Sequence, residues 1–227
     1  MRSLLLAPLF ALIATSADAA SEAEWKPVDE KDGIKVWQRE VAGTSFVEFR
    51  GKAEIAVNMK MILAVLHDQT RKKEWLNRCV ENRLIRSRKV GENIIYNRIG
   101  SGFPLVSDRD IVVESSLKIM PEKKTVRVEA HNVEDKLAPP VDGVVRMPKL
   151  LLSWELEWRG TDKTGVTYQV QADPGGLLPA WIVNLVSKDI PFKTISNLRE
   201  QVKKPGYDKD LTIVELAYEW PEEAGSP

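Results

Sequence analysis

The chain has 227 residues, a length that suggests one large domain or two small ones. Hydrophobic residues make up 43% of it and charged residues 29%, which is typical of a globular protein with a sizeable core. Lysine plus arginine equals aspartate plus glutamate at 33 each, so the overall charge gives no reason to expect a nucleic acid as partner.

The N-terminus is organised like a secretory signal peptide. Arg2 precedes an apolar run over residues 4–13, and small residues ending in Ala17-Asp18-Ala19 follow. The run is short for a membrane span, although a membrane anchor is the alternative. We therefore predict a signal peptide over residues 1–19 and an exported protein, periplasmic or secreted, whose mature chain begins near Ala20.

The next part of the chain predicts strands around one helix. Residues 33–39 and 46–55 alternate like two strands. Asn58 is the predicted N-cap of a helix that carries apolar residues on one face, and a charged helical turn follows at residues 71–75. Further strands are predicted at 80–88, 94–99, 109–120, 125–130, 150–158 and from 166 to 172. A polar, proline-containing loop is predicted at residues 131–143.

The last predicted element is a long amphipathic helix. It follows Asp173-Pro174-Gly175-Gly176, has Pro179 in its first turn and ends before Pro205-Gly206. Apolar residues recur three or four positions apart, at Leu178, Trp181, Ile182, Leu185, Val186, Ile195, Leu198 and Val202. Pro191 predicts a kink in the middle. A sheet with one apolar face must cover that face, and only this helix is long enough to do so.

Four stretches in this order resemble the START (StAR-related lipid transfer) domain family. They are Gly33-Ile34-Lys35-Val36-Trp37, then Leu66-His67-Asp68 to Glu74-Trp75, then Tyr96-Asn97 through Phe103-Pro104 to Arg109-Asp110, and finally residues 176–184. The resemblance covers residues 24–204 and identifies the chain as a bacterial exported member. It implies an α+β helix-grip fold, a curved antiparallel sheet wrapped around a long C-terminal helix. The predicted organisation is a START-like lipid-binding domain at 20–206 and a C-terminal tail at 207–227.

The resemblance also implies a function. START domains enclose one lipid or other hydrophobic molecule in a tunnel under the last helix, and they are carriers or sensors rather than enzymes. We therefore expect a monomer that binds and transports such a ligand without a cofactor. Sterol-carrying members pair an acid with an arginine in the pocket, and the arginine position holds Ser115 here, which argues against a sterol ligand.

Strand parity gives candidate binding residues. Arg109, Ile111, Val113 and Ser115 share one face of their strand, and that face is predicted to line the tunnel. Arg109 could contact a phosphate or carboxylate headgroup, and the alternative is a structural ion-pair network with Asp110. The other candidates are Tyr96, Trp154, Leu156, Tyr168, Val170, Leu178, Trp181, Ile182, Leu185 and Val186. For each apolar residue in this set the alternative is ordinary core packing.

Two further hypotheses concern charged residues. Residues 71–89 hold eight bases against two acids and could contact an anionic membrane surface, or could simply form a solvated face partly balanced by the acidic residues of the tail. The two histidines, His67 and His131, lack zinc-site spacing, so no metal is predicted. An enzyme of the same fold, cyclase- or hydrolase-like, would use His131 with Asp110 or Glu114 on a small apolar substrate, and this is the alternative function.

Overall fold

The computed structural model describes residues 24–89 and 91–207. The predicted signal peptide at 1–19 and residues 208–227 of the predicted tail lie outside this part of the chain. Among the helices of the described residues, none is both long and apolar enough to cross a membrane.

Ten strands form one sheet. They are β1 Lys26–Lys31, β2 Ile34–Arg39, β3 Glu48–Ile55, β4 Cys79–Lys89, β5 Glu92–Ile99, β6 Arg109–Met120, β7 Thr125–Asn132, β8 Val145–Arg146, β9 Lys149–Trp158 and β10 Thr164–Asp173. Their order across the sheet is β1-β2-β3-β10-β9-β7-β6-β5-β4, with antiparallel neighbours along this path. The two-residue β8 pairs in parallel with the start of β6.

The helices are α1 Met59–His67, α2 Ala180–Ser187 and α3 Ile190–Gln201, with short 3-10 turns at Lys72–Glu74 and Pro121–Lys123. The α1 prediction is confirmed, because the Asn58 side chain accepts a hydrogen bond from the Lys60 amide at 2.8 Å. Its apolar face is buried at Met59, Ile62, Leu63 and Val65. The loop predicted at 131–143 is found at 133–144, because His131 and Asn132 continue β7.

One face of the sheet, here called the inner face, packs against α3. Ile195 and Leu198 of α3 are fully buried against it. The helix approaches the sheet closely at Gly51 of β3, where an added Cβ would lie 2.8 Å from both Ile195 Cδ1 and Pro191 Cβ. A side chain at this position would therefore push α3 off the sheet.

The C-terminal helix is interrupted rather than only kinked. Lys188 and Asp189 separate α2 from α3, and Pro191 lies in the first turn of α3. Proline suits that position because its missing N–H would have no intrahelical partner there. With α1 and α3 covering the inner face, the α+β helix-grip prediction is confirmed.

Candidate ligand-binding site

Strand register shows which predicted residues share the inner face. Ser115 on β6 lies opposite Ala130 on β7, which lies opposite Leu152 on β9, which lies opposite Val170 on β10. In antiparallel sheets directly opposed residues point to the same side. A neighbouring row connects Leu117, Val128, Trp154, Tyr168 and Gly51 in the same way. The alternation along β6, β9 and β10 then places Arg109, Ile111, Val113, Leu156 and Val166 on the inner face as well.

Three aromatic side chains occupy the middle of the inner face. The Trp154 and Tyr168 ring centroids are 4.6 Å apart, and the Trp75 ring meets Trp154 edge-on at 6.3 Å. Tyr168 is buried and its hydroxyl bonds to Thr194 of α3, while burial raises its pKa. A protein partner therefore already satisfies this hydroxyl, and Trp154, Leu156 and Tyr168 belong to the packed core beneath α3.

A small cavity remains between α1 and the sheet. It holds about 30 Å³ and is lined by residues that include Leu63, Leu66, Asn93, Ser115 and Val128. Pockets for drug-sized ligands usually measure about 300–1,000 Å³, whereas a single water needs only about 10–15 Å³. A larger cavity of about 310 Å³ lies on the outer face around Glu129, Ser153 and Gln169. The inner-face cavity under α1 is thus too small for a lipid, and a ligand placed there requires the packing around it to open.

The apolar stripe of α2 faces solvent. Trp181 is 68% exposed, Leu185 55% and Val186 44%, whereas Val183 alone in this helix is buried. Leu178 and Ile182 are half-buried. Asn184 ties the helix to the β2–β3 connection by accepting a hydrogen bond from the Val47 amide at 3.2 Å and donating one to the Ser45 carbonyl at 3.0 Å. All five residues were predicted to line a tunnel. Here Trp181 and Leu185 are more than half exposed and Val186 nearly so, whereas Leu178 and Ile182 are mostly covered by protein.

Two more exposed apolar side chains belong to the loop between β5 and β6. Phe103 and Leu105 project from it, and Leu105 has positive φ at 62°. The Arg78 guanidinium lies over the Phe103 ring at 5.5 Å. In the sequence, Phe103 was noted only as part of a family motif. Phe103 and Leu105 could have been predicted to be exposed, because they lie in a glycine- and proline-rich turn.

Arg109 has unused hydrogen-bonding capacity at the end of the inner face. Its Nη1 donates to the Ser107 carbonyl at 2.6 Å, but its buried Nε has no hydrogen-bond partner among the described residues. The buried Oδ1 of Asn97 is likewise unpartnered there, and Asn97 lies opposite Ile111 on the same face. Gly176, at the approach to α2, lies near this point, because a Cβ on it would be 3.8 Å from Arg109 Nη2. A polar ligand group would find both a donor and an acceptor at this end of the sheet.

The predicted network around Asp110 exists, but its cation is Arg146 rather than Arg109. Asp110 is fully buried on the outer face and accepts from Arg146 Nε at 2.7 Å and Nη2 at 3.1 Å. Arg146 Nη2 also donates to the carbonyls of Ala138 and Pro139, at 3.1 and 3.2 Å. The ion pair therefore fastens the 133–144 loop to the sheet. Burial and the neighbouring Asp110 raise the pKa of Tyr96 to about 12, which places this residue in the same network.

Tyr96 was predicted to line the tunnel, and the structure places it on the other side of the sheet. It lies opposite Val112, whose neighbours Ile111 and Val113 point inward. Its ring packs with Ile94, Val112 and Ala138 under the loop. Tyr96 therefore supports the loop from the outer face and does not contact the inner-face wall.

Comparison with known proteins identifies the family. A model of the START domain matches residues 14–206 of the chain. This protein belongs to the START domain family. The match begins inside the predicted signal peptide, so both the boundary at residue 19 and export stay predictions.

Individual relatives agree with the assignment. This START domain is 30% identical over 195 residues to an uncharacterised protein of Pseudomonas aeruginosa, covering 86% of this chain and 94% of that protein. A crystal structure of a STAR-related lipid transfer protein from Xanthomonas axonopodis is 29% identical and superposes with a TM-score of 0.73, covering 79% of this chain and 99% of that one. The phosphatidylcholine transfer protein of Rattus norvegicus is 26% identical over 189 residues, covering 82% of this chain and 85% of that protein.

The acid–base groups proposed for the alternative enzyme lie away from the inner face of the START domain. His131 Nε2 is 4.0 Å from Glu114 Oε2, and the two residues oppose each other on the outer face. The His131 side chain is more than half exposed, while Asp110 is engaged by Arg146. Within residues 24–89 and 91–207 no cluster of three or more His, Cys, Asp or Glu side chains could hold a metal ion.

The bases of residues 71–89 are mostly engaged within this START domain. Five of them contact carboxylates, in the pairs Arg71–Glu74, Arg83–Glu81, Arg86–Asp135, Arg88–Glu114 and Lys89–Glu92. A sixth, Lys72, is buried and donates to the Leu66 carbonyl at 2.6 Å at the C-terminal end of α1. Membrane contact through this segment stays a prediction. Fewer of its bases are unpaired than the count of eight in the sequence suggests.

Lys72 should make the stability of the START domain depend on pH. Burial lowers the pKa of its amine from 10.5 to about 7, so between these values the unfolded chain binds more protons than the folded one. The free energy of unfolding is then expected to rise with pH, by up to about 1.4 kcal/mol per unit, and to level off below pH 7. Urea unfolding of Lys72→Met at pH 7 and pH 9 should show a shallower rise than the wild type. Lys89→Met, at an exposed position, should keep the wild-type slope; equal slopes in all three proteins would contradict the assignment.

Proposed function

We propose that this START domain binds one phospholipid or similar hydrophobic molecule between α2 and the inner face and carries it between membranes. The exposed apolar surface of α2 is the observation that carries this proposal, and buried apolar residues such as Ile95, Ile111 and Val113 supply the inner-face wall. A helix whose apolar stripe faces water is stabilised when a ligand or a membrane covers that stripe. The name of the phosphatidylcholine transfer protein, a relative of this chain, supports a phospholipid as ligand.

The binding energy would come from removing acyl chains from water. Each methylene buried contributes about 0.8 kcal/mol, so a long chain suffices for tight binding. The acyl chains would lie along Ile111, Val113 and Val170, and the headgroup would lie near Arg109 and Asn97. There the unpartnered Arg109 Nε–H could donate to a phosphate oxygen, and the unpartnered Asn97 Oδ1 could accept from an N–H or O–H of the headgroup.

Access would be through α2. Because Lys188 and Asp189 interrupt the C-terminal helix, α2 can move while α3 stays on the sheet. Phe103 and Leu105 at the neighbouring loop would join α2 in touching the membrane during exchange. If the signal peptide acts as predicted, the carrier would work outside the cytoplasmic membrane of a bacterium.

Replacing Trp181 and Leu185 together with aspartate should slow lipid transfer at least about tenfold, because each apolar side chain contributes about 1.5–3 kcal/mol when covered. Transfer of a fluorescent phosphatidylcholine between donor and acceptor vesicles measures the rate. Native mass spectrometry of the purified protein, followed by organic extraction, measures stoichiometric lipid.

The matched control replaces Leu137 and Leu151 with aspartate, since both are exposed apolar residues outside α2. This control should transfer lipid at the wild-type rate. The proposal fails if the wild-type protein neither retains nor transfers lipid, or if both double variants lose transfer equally.

A further inference from the structure

Strand β4 forms one edge of the sheet. Within the described residues its only strand partner is β5, so alternate backbone amides along β4 point away from the sheet. The pairing with β5 has three irregular steps, and the regular stretch between the first two is Glu81–Leu84. This edge is available for another strand.

The two sides of the β4 edge differ in character. Leu84 lies opposite the inner-face residue Ile95 and is half exposed, as is Val80. Arg83 and Arg86 lie opposite Tyr96 and Ile94, on the outer side, and both keep more than two fifths of their side chains exposed beside their acidic partners. A strand that fits this edge has apolar side chains on the inner side and acidic ones on the outer side.

The end of the described chain is fixed close to this edge. The Tyr207 hydroxyl donates to Asp68 Oδ2 at 3.1 Å and accepts from Gln201 Nε2 at 3.0 Å, while the Arg71 guanidinium covers its ring at 4.8 Å. The next residue after Asp68, Gln69, accepts from Asn82 of β4 at 2.6 Å. The Tyr207 side chain, at the end of the described residues, therefore lies close to the regular part of β4.

The sequence that follows has the required pattern. In residues 208–223 there are six acids and one base. Val214, Leu216, Tyr218 and Trp220 alternate with Glu215, Ala217 and Glu219, which is the period of a strand with one apolar and one acidic side. The seven residues from Tyr207 to Val214 span up to about 25 Å when extended, which is enough to reach any part of Glu81–Leu84.

We infer that residues 214–220 of the same chain cover the β4 edge. Leu216 and its apolar neighbours lie beside Leu84 on the inner side, and Glu215 and Glu219 lie beside Arg83 and Arg86 on the outer side. This assignment is independent of lipid binding. In this arrangement Arg83 and Arg86, which belong to the basic segment 71–89, would be covered and could not contact a membrane surface.

Hydrogen exchange of the full-length protein tests the assignment. The β4 amides should exchange about tenfold faster when Leu216 and Tyr218 are both replaced with aspartate than in the wild type. The matched control replaces Ala224 and Ser226 with aspartate, which adds the same charge beyond the proposed segment and should leave exchange unchanged. The β9 amides, in the middle of the sheet, report whether each variant keeps its fold.

A second variant separates charge from apolar contact and stays useful if the first one unfolds. Glu215→Lys with Glu219→Lys should also speed exchange in β4, by a smaller factor. Equal β4 exchange in the wild type, the control and these variants would overturn the inference. So would protection that grows with protein concentration, which means pairing between two copies, or protection that requires anionic phosphatidylglycerol vesicles, which means a membrane partner.

Discussion

Replacing Arg146 with methionine is expected to lower the free energy of unfolding by about 3–5 kcal/mol. Its partner Asp110 has a side chain only 1% exposed, so the substitution leaves an uncompensated carboxylate inside the protein. The guanidinium also holds the Ala138 and Pro139 carbonyls, and the 133–144 loop loses its attachment with it. Urea denaturation followed by circular dichroism measures the change.

Two further variants test whether the loss of stability comes from the buried ion pair. Arg88→Met breaks a pair with Glu114 in which the arginine is half exposed, and it should cost less than about 1 kcal/mol. Combining Asp110→Asn with Arg146→Met removes both charges and should recover part of the loss. A loss for Arg146→Met no larger than that for Arg88→Met would show that the buried pair does not stabilise the fold.

Replacing Trp154 with alanine should also destabilise the protein by about 3–5 kcal/mol. Trp154 is 5% exposed and contacts Tyr168 and Trp75 beneath α3, so its removal leaves a cavity that the neighbouring rings cannot fill. The same measurement distinguishes core packing from a ligand-lining role. A residue that only lines a ligand site in the open state would cost little stability in the lipid-free protein.

Trp181→Ala is the matched comparison, because the same side chain is removed from a position that is 68% exposed. It should change the free energy of unfolding by less than about 0.5 kcal/mol. Similar losses for the two tryptophan variants would mean that α2 packs on the sheet in solution and that its apolar stripe is not available to a ligand.

Alternation along β9 was enough to predict which of its residues face inward. In β9, buried Trp154 and Leu156 alternate with exposed Leu151 and Glu157, so the sequence alone separates the two faces. In β5 both faces are apolar around Ile94, Ile95 and Tyr96. Only the register with β6 decides which way Tyr96 points, and this is why its predicted place was on the wrong side of the sheet.

The sequence near a residue does not indicate a partner that lies far along the chain. Asp110 meets a cation 36 residues away on a two-residue strand, whereas the neighbouring Arg109 points to the opposite face. A helical stripe likewise shows which residues share a side but not what covers that side. The stripe of α3 is buried at Ile195 and Leu198, while the continuous stripe of α2 is exposed at Trp181 and Leu185.

Because Lys188 and Asp189 interrupt the C-terminal helix, α2 and α3 are attached to the rest of the protein separately, and α2 is attached more weakly. α3 is anchored by fully buried side chains, but α2 is retained by one buried valine, a few half-buried neighbours and the two hydrogen bonds of Asn184. Such contacts together amount to only a few kcal/mol, well below the global stability of a domain this size. We therefore expect α2 to detach from the sheet as a local fluctuation, and the proposed cargo exchange would not require the rest of the domain to unfold.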